Sequence, residues 1–204
     1  MKKKAFLIIL AAVVLVSGSI GGTLAWFTDS ASVTNTFTVG SIKMTLDETN
    51  LSYHEGVQGS KPRTSENQEG YKIVPGTAIP KDPMVTIAAN SEDCYVFVQI
   101  INGLVLDNAV VGTPNIATAW QPVEEGSNIY VYTGSQPTAK VVSSSTSAQE
   151  LEKVFTTITI SGTNVTSENI NSLNGKTVTV AAFAHQSAAT DYSTALSAAK
   201  AHFA

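Results

Sequence analysis

Eight consecutive residues, 94–101 (CYVFVQII), constrain this chain more than any other stretch. Gln99 aside, both the odd and the even positions are apolar, and Val, Ile, Tyr and Phe dominate. Such side chains fit a pleated strand better than a helix. A strand that is apolar at both parities has to be covered on both faces, so it is expected at the centre of a layered β-structure. Residues 91–93 supply the turn that leads into it.

Weaker patterns on either side agree with that reading. Ile42, Met44 and Leu46 alternate with Ser41, Lys43 and Thr45, the period of a half-buried strand. Val33, Phe37 and Val39 stand at even steps with Thr and Asn between them. Residues 73–76 (IVPG) run a short strand into a tight turn. Pro80 and Pro83 bracket the start of a strand over 84–88, which suits an edge or first position. Trp120 and Tyr130-Val131-Tyr132, either side of a turn at 124–128, read as a hairpin. Residues 154–160 (VFTTITI) form a β-branched strand. Asn174-Gly175 is a type I′ hairpin signal or another turn before a strand over 177–184. Residues 47–72 are rich in Glu, Gly, Ser, Asn and Gln and read as a long exposed loop, and 141–148 as a Ser/Thr-rich one. The period then changes. After Asp191, a helix-capping residue, Tyr192, Ala195, Leu196, Ala199 and Phe203 line one face of a short amphipathic helix. The sum is all-β: an antiparallel β-sandwich with a short C-terminal helix.

The N-terminus has a different character. Lys2, Lys3 and Lys4 precede an unbroken apolar run over 5–16, followed by small and turn-forming residues. Thr23 and Ala25 put small side chains at the −3 and −1 places of a signal-peptidase site, with Trp26 as the new N-terminus. Residues 1–25 are therefore expected to be a signal peptide, with membrane contact only before cleavage. The alternative is an uncleaved anchor, but a spanning helix needs about 20 apolar residues. The stretch 5–25 approaches that only if its Gly and Ser are counted.

Composition narrows the function. The formal net charge is −4, and removing residues 1–25 takes away three lysines and no acid, leaving −7. No basic stripe exists for nucleic acid. The single cysteine, Cys94, excludes an internal disulfide, and its apolar strand makes it a structural thiol rather than a nucleophile. Zinc peptidases commonly place two His on one helix face with a Glu between them. Here His54-Glu55-Gly56-Val57-Gln58 begins that pattern but ends in Gln, within a Gly-rich segment. His185 ends a strand, and His202 sits near a helix C-terminus where a cation is favourable. Glu48, Glu55, Glu66, Glu69, Glu124 and Glu125 fall in expected loops without calcium-binding spacing. Asn50-Leu51-Ser52 and Asn164-Val165-Thr166 are chance matches to a glycosylation sequon. No cofactor motif is present.

Ala25-Trp26-Phe27-Thr28-Asp29, followed by Asn35, Phe37, Gly40 and Ile42, resembles the N-terminal signature of the TasA/camelysin family. Residues 73–76 with Met84-Val85-Thr86-Ile87 are similar to the family's proline-glycine turn and next strand. Residues 178–186, ending Ala182-Phe183-Ala184-His185-Gln186, are similar to its closing strand. The resemblance implies a jelly-roll-like β-sandwich over 41–204 and a SipW-type signal peptidase as processing partner. It also implies assembly into extracellular or biofilm-matrix fibres by donor-strand exchange. In that scheme residues 26–40 (Trp26, Phe27, Val33, Phe37 and Val39) complete the sheet of a second copy or a related fibre subunit. The same alternation would equally serve as the first strand of the chain's own sandwich. Two other functions stand beside the fibre subunit: a monomeric accessory or adhesion module of the envelope, and a camelysin-like secreted metallopeptidase. The incomplete zinc pattern argues for a non-enzyme.

Overall fold

The computed structural model describes residues 41–50, 62–67, 71–187 and 191–204, all within the unit Gly40–Ala204. The expectations for Thr23, Ala25, Trp26, Phe27, Val33, Phe37, Val39 and His54 lie outside the described residues.

Thirteen strands follow in chain order: β1 (Met44–Thr49), β2 (Arg63–Thr64), β3 (Ala78–Pro80), β4 (Met84–Ile87), β5 (Cys94–Asn102), β6 (Val105–Leu106), β7 (Ala109–Val110), β8 (Gly112–Ile116), β9 (Trp120–Pro122), β10 (Ile129–Tyr132), β11 (Gln149–Glu150), β12 (Phe155–Ile160) and β13 (Val178–Gln186). The helix α1 (Tyr192–His202) ends the chain. The strands form sheets in the orders β11–β4–β1–β2, β13–β5–β10–β9 and β3–β12–β8, with β6–β7 as a separate hairpin. Every pairing among the described residues is antiparallel. This is the all-β, sandwich-like arrangement with a short C-terminal helix that the sequence pattern calls for.

The double apolar parity of β5 has a direct cause. Its even residues Val96 and Val98 enter the main core, where they meet Val85 and Ile87 of β4 and Phe155 of β12. Phe97 points the other way, into a second cluster with Ile129, Val131, Ala195 and Ala199. The helix is therefore the cover for the back face of this sheet. Asp191 caps it by accepting from the Thr194 N–H at 2.9 Å, and Ala195 and Ala199 are its fully buried residues. Small side chains there let the helix approach the sheet closely.

Three expectations are corrected or narrowed. The segment 47–72 is not simply an exposed loop: β1 runs on to Thr49, and Arg63–Thr64 pairs back against Glu48 and Thr49. The inward alternation of Ile42, Met44 and Leu46 simply continues to Glu48, which is buried because Lys81 meets its charge. Residues 51–61 and 68–70 lie outside the described residues. Asn174-Gly175 makes a type II rather than a type I′ turn: Asn174 has φ −62° and ψ 130°, and Gly175 has φ +73°. The Lys176 N–H closes it onto the Leu173 carbonyl at 3.1 Å, and only the second central position needs glycine. Within the Ser/Thr-rich segment 141–148, Val142 is buried and bridges Cys94.

Candidate functional site: an open sheet edge and its groove

Sheet edges present unpaired backbone, and proteins usually blunt them. Most edges here are blunted. β2 and β11 have two residues each, and β2 carries Arg63. β3, β8 and β9 contain Pro80, Pro114 and Pro122. Two edges among the described residues are not: residues 44–47 of β1, which pair with β4 and have no described strand on their other side, and the longer β13, nine residues, VTVAAFAHQ, with no proline and no Lys, Arg, Asp or Glu. All nine pair with β5 on one side, and among the described strands β13 is the terminal one of its sheet.

The ladder fixes which groups face outward. The Gly103 N–H donates to the Thr177 carbonyl at 2.8 Å, and the Ser187 N–H to the Asp93 carbonyl at 2.8 Å. Both are pairs of directly opposed residues, so the odd positions of β13 bond to β5. The even positions Val178, Val180, Ala182 and Ala184 then direct their N–H and C=O groups away from β5. Their side chains pack against the main core but are only partly buried. Among the described residues, backbone and side chains of the same four positions are thus left incomplete together.

A groove of about 1050 Å³ runs beside this edge. One wall is apolar, with Val178, Val180, Leu173, Leu46 and Ile158. The other is polar, with Thr64 of β2, Ser65, Glu66 and Asn67 after it, and Asp47, Glu48 and Lys81. Such a cleft suits an extended peptide with one apolar face that adds to the sheet.

The polar wall stands on an ion cluster. Arg63 binds the carboxylates of Asp47 and Asp82, the latter at 3.0 Å. Lys153 reaches Asp82 at 2.8 Å, and Lys81 pairs with Glu48. The Thr49 N–H donates to Asp82 at 2.8 Å and its hydroxyl does so at 2.9 Å. Burial pushes the Asp82 carboxyl upward, but the bonds from Lys153, Thr49 and Arg63 outweigh it and hold the carboxyl at about 2. Tyr71, over whose ring Lys81 sits at 5.2 Å, is kept protonated by burial and by Glu48. The sequence pattern places Asp47, Glu48, Thr49, Arg63 and Tyr71 in an expected exposed loop and gives no sign of Lys81, Asp82 or Lys153 as their partners. The signal that could have found them is that Arg63 is the chain's sole arginine, the side chain suited to bidentate carboxylate pairing.

The other candidate groups are dispersed. Cys94 is fully buried, and burial raises its thiol to about 11, so it stays protonated and unreactive. His202 stacks on Phe183 with ring centres 4.6 Å apart, and His185 lies on the same ring at 6.2 Å. The His185 Nδ1 lies 2.9 Å from the Gln186 carbonyl. Glu124 pairs with Lys200 at 2.9 Å on the surface. No helix among the described residues is long and apolar enough to cross a membrane.

A family model described as camelysin metallo-endopeptidase matches residues 1–59. No curated protein and no solved structure gives a match. The described residues do not fit the metal centre that the family description implies. No three His, Cys, Asp or Glu side chains among them gather as a metal site, and Asp47, Glu48 and Asp82 are already faced by Arg63, Lys81 and Lys153. The likenesses at 73–87 and 178–186 lie beyond the matched stretch, whose 59 residues support the TasA/camelysin family for this chain.

Proposed function

We propose that this chain is a secreted structural subunit that polymerises into extracellular or biofilm-matrix fibres. Residues 26–40 of one copy, freed by cleavage after Ala25, add to the sheet of the next. The observation that carries the reading is the β13 edge: nine residues without proline or charge, with outward backbone groups and half-buried core side chains, longer than any other edge among the described strands.

The donor pattern is complementary. Within 31–39, the odd positions are Ala31, Val33, Asn35, Phe37 and Val39, and the even ones are Ser or Thr. One face is apolar except for Asn35, and the stretch has the nine residues that β13 offers. Burying each of the larger apolar side chains contributes roughly 1.5–3 kcal/mol, and the added ladder fixes direction and register. The contact is head-to-tail, so it does not close on itself and runs on as a filament. Export is supported by the basic, apolar and small-residue order of residues 1–25 and by the family match over residues 1–59.

The test compares protein that begins at Trp26 with protein that begins at Ser41, by size-exclusion chromatography and negative-stain microscopy. Filaments from the first and monomers from the second are expected. Filaments from both would remove the donor strand from the mechanism. Monomers from both would favour an accessory module whose N-terminal strand completes its own sheet.

A further inference from the structure

The groove beside β13 has a polar wall that its own ladder is too short to hold. Among the described residues, segment 62–67 pairs with β1 at two positions, and the Asn50 N–H adds one bond to the Pro62 carbonyl at 2.9 Å; so short a ladder is marginal at best. Arg63 supplies what the ladder lacks. Its Nε donates to the Asp47 carboxylate, and its Nη2 to the Asp47 carbonyl at 2.8 Å. Its Nη1 donates to the Asp82 carboxylate at 3.0 Å, and Nη2 also to the Asp82 carbonyl at 2.8 Å. Four bonds thus tie one side chain to two anchor points, one on β1 and one between β3 and β4. A planar guanidinium can make them together, whereas the point charge of a lysine cannot. The exchange is partly desolvated, with Arg63 23% and Asp82 14% exposed at the side chain, so solvent screens it less than a surface pair.

We infer that Arg63 is a positioning residue for the groove: it locks segment 62–67 against β1 and so fixes the wall that an incoming strand meets. What fills the groove rests on the donor-strand reading; the clamp itself does not. Lys153 offers an internal control. It bonds the same Asp82 carboxylate at 2.8 Å but comes from the segment between β11 and β12, outside the wall.

The experiment uses the chain beginning at Trp26, as wild type and as Arg63→Ala, Arg63→Lys and Lys153→Ala. Amide hydrogen exchange is read on freshly isolated subunits, and filament growth by light scattering. Arg63→Ala is expected to speed exchange at Thr49 and over residues 63–67 by about tenfold or more, with β5 still protected, as loss of several charge-assisted bonds requires. Filament growth slows by a similar factor. Arg63→Lys falls close to Arg63→Ala, and Lys153→Ala stays within about twofold of wild type, as suits a pair with one half-exposed partner. Equal effects of Arg63→Ala and Lys153→Ala would overturn the inference, since only the charge of the cluster would then matter. Loss of protection in β5 as well would also overturn it, making Arg63 a determinant of the fold. Absence of filaments from the wild type would sink the donor-strand reading, while the exchange data would still decide the clamp.

Discussion

The two outer strands of one sheet are finished in opposite ways. β9 has three residues and ends in Pro122. Its Trp120 is 1% exposed, donates from Nε1 to the Glu152 carbonyl at 2.9 Å, and meets the Tyr132 ring edge-on at 5.2 Å between centres. That edge is closed by the chain itself. β13 has nine residues and no proline, and its core-facing side chains are half-buried where those of neighbouring β5 are 0–6% exposed. What differs is whether the chain has spent residues on ending the sheet. An edge left long and free of proline and charge tells more about partners than a patch of exposed hydrophobics would.

The comparison breaks most sharply with proline. At Ala182 the ring removes an outward N–H and leaves the bonds to β5 intact; at Ala181 it removes a bond to β5. Ala182→Pro is expected to abolish filament formation while the subunit keeps its far-UV circular dichroism and urea midpoint. Ala181→Pro should lower the urea midpoint markedly. If the two behave alike, the assignment of outward groups along β13 is wrong. The closed edge answers to a different change. Trp120→Ala removes the largest fully buried side chain of β9 and leaves the Glu152 carbonyl without its donor, so a loss of about 3–5 kcal/mol is expected in urea unfolding of the subunit.

Acid separates the groove's polar wall from its apolar one. An aspartate in an unfolded chain titrates near about 3.9, whereas in the fold Asp82 is held at about 2. The depressed value means that its stabilising effect is complete above the unfolded value and fades as pH falls toward about 2. The wild-type urea midpoint should therefore drop between pH 4 and pH 2.5. Asp82→Asn should start lower at pH 7 and fall less over that interval. An unchanged pH profile in Asp82→Asn would mean that other carboxylates carry the acid sensitivity. The apolar wall of Val178, Val180 and Leu173 has no titrating group and should not respond.

Regularity decides what was legible in the sequence. The β9–β10 hairpin, β12, β13 and α1 repeat one period over enough residues to announce themselves, and β5 announces itself by being apolar at both parities. The second cover of β5 was readable as a demand, both parities being apolar, and the apolar stripe of the C-terminal helix as an element able to meet it. The ion cluster was not readable, because it is assembled from Asp47, Arg63, Asp82 and Lys153, up to 106 positions apart, each in a locally polar stretch that looks like loop. Composition cannot distinguish a solvated charge from one paired across strands. The type of the Asn174-Gly175 turn was open for a similar reason: the dipeptide allows a positive φ at glycine, and the 3-10 turn Ile170–Leu173 before it decides the rest.

The smallest effect is also the finest probe of the open edge. Val180 of β13 and Ile100 of β5 are directly opposed in the ladder and point into the same core, yet Ile100 is 6% exposed and Val180 is only partly buried. In the isolated subunit, Ile100→Ala should cost about 2–5 kcal/mol, as for a full core truncation. Val180→Ala should cost under about 1 kcal/mol, because much of its surface is already in water. Assembly should reverse the ranking of what changes. A strand laid against β13 would bury Val180 and leave Ile100 as it was, so Val180→Ala should raise the concentration needed for filaments by more than its subunit stability accounts for. A Val180→Ala chain that assembles like wild type would mean that the partner strand contacts the β13 backbone without entering the groove.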